Sequence, residues 1–133
     1  MSLRLSDATV SRLGARARRQ QLPARTLAQR YVEEGLRMDE HPLVRFADGP
    51  AGRRARLLGT GKDVWEVVAV VRDNDGDAGE AARYLEISLG LVQAAVSYYG
   101  VYRAEIDELI EANEQETAAA FAAFQAGQAA TRQ

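Results

Sequence analysis

Along the first forty residues the apolar positions first alternate with polar ones and then recur at helical spacing. Leu3 and Leu5 alternate with Ser2 and Arg4, the period-two pattern of a half-buried strand. Nothing nearby can pair with so short a strand, and unpaired backbone groups are costly once buried. The simplest remedy is the same strand of a second chain. Ser6 has the chemistry of a helix N-cap, with Leu5 and Val10 at the two positions of a hydrophobic staple. Val10, Leu13 and Ala17 follow at helical spacing, and Arg12, Arg16, Arg18 and Arg19 take the other faces. This helix is expected to end near Gln20. Pro23 suits the first turn of a second helix, whose apolar stripe is Leu27, Ala28, Tyr31, Val32 and Leu36. Arg37 lies in its last turn, where a cation complements the helix dipole.

His41-Pro42 interrupts the helical pattern. Val44–Phe46 and Arg53–Leu58 read as the strands of a hairpin around the turn cluster Asp48-Gly49-Pro50-Ala51-Gly52. Arg54 and Arg56 fall on one face of the returning strand, Ala55 and Leu57 on the other. The run Val64–Val71 is rich in β-branched residues, which favours strand. Asp63 and Glu66, however, stand at capping-box spacing, and a helix is the expectation. Asp77 and Glu80 repeat that spacing before Ala81, Ala82 and Leu85. Ser88 can cap a further helix carrying Leu89, Val92, Ala95, Val96 and Tyr99. The stretch from Ala81 to Val92 has helix-turn-helix character. Beyond it, Ile106, Leu109, Ile110, Asn113, Thr117, Ala120, Phe121 and Phe124 share one helical stripe, with acidic residues from Glu105 to Glu116 on the other faces. From Thr117 the chain is alanine-rich, and Gly127 is the expected stop. A stripe interrupted by Asn113 and Thr117 is expected to stay loose until a partner covers it.

Composition narrows the chemistry. The 133 residues contain no cysteine and one histidine, His41. Disulfides, thiol catalysis and cysteine-bound zinc are excluded, as is a multi-histidine metal site. No apolar run approaches the ~20 residues needed to span a bilayer. No basic-then-apolar leader opens the chain, so the cytoplasm is the expected address. The net charge of −2 hides a polarity: residues 1–62 carry 13 basic and 6 acidic side chains, residues 63–133 carry 4 and 13. A basic first half suits a polyanion, and an acidic second half suits a basic protein surface.

Strand, helix, helix within forty residues, with a strand that needs a twin, resembles the ribbon-helix-helix family of DNA-binding proteins. The resemblance rests on Leu3-Arg4-Leu5-Ser6-Asp7, Leu13 and Leu22-Pro23-Ala24-Arg25-Thr26-Leu27-Ala28. It implies that two ribbons pair antiparallel and enter the major groove of double-stranded DNA. Ser2 and Arg4 would then face the base edges, and Ala24, Arg25 and Thr26 would offer backbone amides to a phosphate. Leu3, Leu5, Leu13, Leu27, Tyr31 and Val32 would form the dimer core. The ribbon starts almost at Met1 and so offers few reading side chains. A second resemblance covers about residues 43–107. Gly59-Thr60, Val64-Trp65-Glu66-Val67, Ala81-Ala82, Leu85, Val92, Ala94-Ala95, Tyr98-Tyr99, Tyr102 and Glu105-Ile106-Asp107 are similar to a small bacterial domain family often fused to or paired with antitoxin elements.

Together these imply a mainly α chain in three parts: a dimeric ribbon-helix-helix over 1–40, a helix-turn-helix-like domain with a short β-hairpin over 41–104, and an amphipathic C-terminal helix or tail over 105–133. The resemblance implies an antitoxin that represses its own operon as a homodimer and neutralises a toxin, typically a PIN-like ribonuclease. Ile106, Leu109, Ile110, Phe121 and Phe124 would dock the toxin. The middle segment is poorly equipped for DNA: residues 63–100 hold 2 basic and 7 acidic side chains, and its would-be reading helix presents Gln93, Ala94, Ser97 and Tyr98. Arg53, Arg54, Arg56 and Lys62 form its only basic cluster, suited either to flanking phosphate or to a solvated hairpin edge. Catalytic motifs fail. Gly61-Lys62 is followed by Asp63 where a P-loop needs Ser or Thr. Asp73, Asp75 and Asp77 imitate a calcium loop, but Ala78 and Tyr84 stand where glycine and glutamate belong. No enzyme activity, cofactor or metal is expected. The rival reading is an interaction protein whose ribbon serves dimerisation alone.

Overall fold

Ser6 opens the first helix, α1 (Asp7–Gln20), with its hydroxyl accepting from the Thr9 amide at 3.2 Å. Gln21 closes it in the left-handed conformation, φ 55°, and the Leu22 amide returns to the Ala17 carbonyl at 3.0 Å. The second helix, α2 (Ala24–Glu40), follows Pro23 and ends at His41, next to the proline that bars continuation. Ala17 and Leu27 are the buried apolar residues of this helical hairpin. Met1–Ser6 belongs to no regular element. The computed structural model describes residues 1–50 and 52–133, and two units emerge, Met1–Pro42 and Leu43–Gln133.

The second unit begins with an antiparallel hairpin, β1 (Val44–Gly49) and β2 (Gly52–Leu57), in which Val44 pairs with Leu57 and Phe46 with Ala55. The strands reach the turn cluster, so β1 runs three residues beyond the expected Phe46. Alternation puts Ala55 and Leu57 into the core and turns Arg54 and Arg56 away from it. Four helices follow: α3 (Val64–Asp73), α4 (Ala78–Leu85), α5 (Leu89–Val101) and α6 (Arg103–Thr131). Val64, Val67, Val68 and Val71 line the inner face of α3. The capping signal wins over β-branched propensity there because a fully buried apolar face offsets the few tenths of a kcal/mol per valine that helix costs. Asp77 and Ser88 cap α4 and α5 through the Glu80 and Leu91 amides. Tyr98 lies at the centre of the core, fully buried, and its hydroxyl donates to Glu105 at 3.0 Å. Among the described residues the chain is thus mainly helical with one small sheet, and no helix is long and apolar enough to cross a membrane.

The C-terminal segment departs from expectation in two ways. It is not a separate part starting at residue 105. Ile106 and Ile110 are 0% and 6% exposed within the core of the second unit, so the first two turns of α6 are part of that fold. Nor does Gly127 stop the helix, which runs unbroken to Thr131 with every residue after Ile110 exposed. The physical reason is that the buried turns supply the costly nucleus, and alanine, glutamate and glutamine then propagate the helix without tertiary contacts. One glycine costs about 1 kcal/mol, too little to end it. Ile106→Ala should therefore destabilise the second unit by about 2–5 kcal/mol in denaturant unfolding, whereas Phe121→Ala should change it by less than about 0.5 kcal/mol.

Candidate dimer groove and nucleic-acid interface

In the first unit the alternation at the N-terminus and the helical stripes converge on one groove. Leu3, Leu5, Leu13, Ala28, Tyr31 and Val32 line a depression of about 450 Å³, with Arg12 and Arg16 at its edge. Leu3 also borders a second hollow of about 290 Å³ beside Arg25, Gln29 and Glu33. Leu3 and Val32 are 69% and 53% exposed, far more than their chemistry favours in a finished surface. Five of the six residues expected in the dimer core thus share this groove. Leu27 is the exception: it is fully buried in the single chain and has no surface left for a partner.

The residues expected at DNA surround this groove. Ser2 and Arg4 are exposed on the segment that carries Leu3 and Leu5. Ala24, Arg25 and Thr26 form the first turn of α2, where no side chain caps the helix. Proline at the N-cap position has no side-chain acceptor, so the amides of that turn keep free donors and the positive end of the dipole. An anion is the natural ligand for such an end. Among the described residues Arg4, Arg12, Arg16 and Arg25 form no ion pair and are exposed, which leaves their charge available to a polyanion.

The basic cluster of the second unit is different. The Arg54 Nε–H donates to Asp63 Oδ2 at 2.5 Å, and Arg56 Nε lies 3.1 Å from Asp63 Oδ1. Trp65 Nε1–H donates to the same Oδ2 at 3.1 Å, and the Arg56 guanidinium also reaches the Gly61 carbonyl. The Asp63 amide donates to Glu66 Oε1 at 3.1 Å, the return arm of a capping box. Asp63 is 6% exposed, and one buried carboxylate therefore binds β2 to the start of α3. Arg54 and Arg56 are neutralised in place, and Arg53 lies 3.5 Å from Asp48. Of the expected phosphate contacts here, Lys62 alone has no such carboxylate. The would-be reading helix is corrected as well, since Tyr98 is buried and Ala94 half-buried. The exposed residues of α5 are Leu89, Gly90, Gln93, Val96, Ser97, Gly100 and Val101, none of them a cation.

The expected toxin-docking set divides in the same way. Ile106 and Ile110 are core, Leu109 is half-buried against it, and Phe121 and Phe124 remain 60% and 63% exposed. Asp73 ends α3, Asp75 and Gly76 adopt positive φ in the turn that follows, and Asp77 caps α4. Comparison with models of protein families, with curated proteins and with solved structures finds no match. Removing the shared carboxylate tests its role: Asp63→Ala takes the acceptor from Arg54 and Trp65 and the counter-charge from Arg56, and should cost about 3 kcal/mol in denaturant unfolding. Arg53→Ala, at an exposed pair, should cost under about 1 kcal/mol.

Proposed function

We propose that the chain is a homodimeric DNA-binding protein of ribbon-helix-helix type, serving as the antitoxin of a toxin–antitoxin pair. The observation that supports it most is the exposed apolar groove of Leu3, Leu5, Leu13, Tyr31 and Val32 next to an arginine-rich rim. A second copy of Met1–Ser6, paired antiparallel with the first, would satisfy the backbone of both segments and cover the leucines of both. The same pairing turns Ser2 and Arg4 outward together, because successive side chains of a strand alternate. Two arginines would then enter one major groove as a symmetric pair, each with a planar fork that fits the two acceptors of a guanine edge. The uncapped first turn of α2 would hold a flanking phosphate and fix the ribbon's register.

The acidic second unit contributes the exposed arm of α6 to toxin binding. Phe121 and Phe124 give it an apolar face, and Glu111, Glu114 and Glu116 give it the charge to meet the basic channel of a ribonuclease. Ile106 and Ile110 hold the arm on its unit and make no toxin contact.

Fluorescence anisotropy on the DNA upstream of the gene tests the first part. Specific binding should weaken linearly in log–log salt titration, and Arg4→Ala should lose about 5- to 150-fold in affinity, the loss of one bidentate base contact. Binding that ignores Arg4, or no binding at any salt, would leave the ribbon a dimer clasp and refute the DNA reading. For the second part, a chain ending at Ala112 keeps the whole core and loses the arm. It should bind DNA as before and lose binding to the product of the neighbouring gene; undiminished toxin binding would refute the role of the arm.

A further inference from the structure

We infer that the exposed arm of α6 is a homotypic docking surface, on which the arms of two copies of this chain pair antiparallel. The arm is about 30 Å of helix at 1.5 Å per residue, and its residues are exposed throughout. At 100° per residue, Thr117, Phe121, Phe124 and Gln128 fall in the same sector as Ile106 and Ile110. The sector that buries two isoleucines in the core therefore continues past the core with two uncovered phenylalanines. Ala118 and Ala120 flank them and let a second helix approach closely.

The arm's own charges select the occupant and its direction. From Thr117 to Thr131 there is no charged residue. Arg132 beyond it and Glu114 before it lie in one sector, close to the phenylalanine face. Laying a second arm antiparallel so that each Phe121 meets the other copy's Phe124 puts position 117 opposite 128 and 114 opposite 131. Each Arg132 then lies beside the other copy's Glu114, and symmetry makes this contact twice. A parallel pair instead leaves the two Glu114 at one level and the two Arg132 at the other, so opposite charges do not meet. The antiparallel register also opposes the two helix dipoles. Four phenylalanines of ~150–250 Å² each meet at the centre, at most about 1,000 Å² in total, which is the size of a weak contact rather than of a free-standing dimer. Such a pair gains most between copies already tethered elsewhere, where the second contact works at millimolar effective concentration. The inference does not rest on the antitoxin reading. A toxin docked on the same phenylalanines would have to displace the other arm.

Because the chain has no cysteine, introduced thiols report the register directly. The full-length double variant Thr117→Cys/Gln128→Cys, treated with a short bismaleimide in the absence of any other protein, should give a covalent dimer. Each single variant should give none, because its two thiols lie about 16 Å apart along the pair. Adding Phe121→Glu and Phe124→Glu, both at exposed positions, should abolish the dimer while circular dichroism shows the fold retained. Glu114→Arg should reduce the yield, and Glu114→Arg with Arg132→Glu should restore it. Cross-linking in the single variants would mean a parallel pair and would overturn the proposal. So would absence of cross-linking in the double variant, or a yield indifferent to the charge swap.

Discussion

One carboxylate organises the second unit. Asp63 accepts from Arg54 and Trp65 on one oxygen and faces Arg56 on the other, while its own amide is held by Glu66. A carboxylate this deeply buried would be unfavourable alone, and it is tolerated because two cations and an indole N–H replace the water it loses. The arrangement depends on strand alternation. The faces of β2 that bury Ala55 and Leu57 must send Arg54 and Arg56 to the other side, where the start of α3 meets them. The hairpin, the N-terminus of α3 and the valine face behind it thus share one anchor.

The anchor also bears on function, because it removes charge from use. Arg53, Arg54 and Arg56 are each engaged by a carboxylate of the same unit. Elsewhere the unit's acidic side chains outnumber its basic ones. The first unit differs: Arg12 and Arg16 are exposed beside an apolar groove, and the first turn of α2 lacks a side-chain cap. The features that support the proposed polyanion contact accordingly lie in the first forty residues, and those that support the proposed pairing or docking of the arm lie in the second unit.

Most helix boundaries were legible because they depend on chemistry within a few residues. Ser6, Asp63, Asp77 and Ser88 each stand one residue before a helix, and His41-Pro42 ends one. The first helix also ends at Gln20 as expected, but the way the chain closes at Gln21 and at Glu86 was harder to read. Both take the left-handed conformation with φ near 55° although neither is glycine, the residue that normally marks such a cap. Their closure is held by amides returning to Ala17 and Ala82, which no side-chain pattern announces.

By itself the sequence determined most helix starts and the hairpin, though not the strand expected around Leu3 and Leu5 or the stop expected at Gly127, together with the absence of thiol chemistry and the division of charge, because capping, periodicity and composition are properties of neighbouring residues. It also determined the stripe on which Ile106, Ile110, Phe121 and Phe124 lie, since helical geometry needs no tertiary information. Only the tertiary structure decided which members of a stripe meet the rest of the chain. Leu27 is interior while Tyr31 and Val32 are not, and Ile106 and Ile110 are core while Phe121 and Phe124 are bare. Arg54 and Arg56 became structural for the same reason. Periodicity specifies direction around a helix or strand, but burial and ion pairing depend on what stands opposite, and that is set by residues distant in the chain.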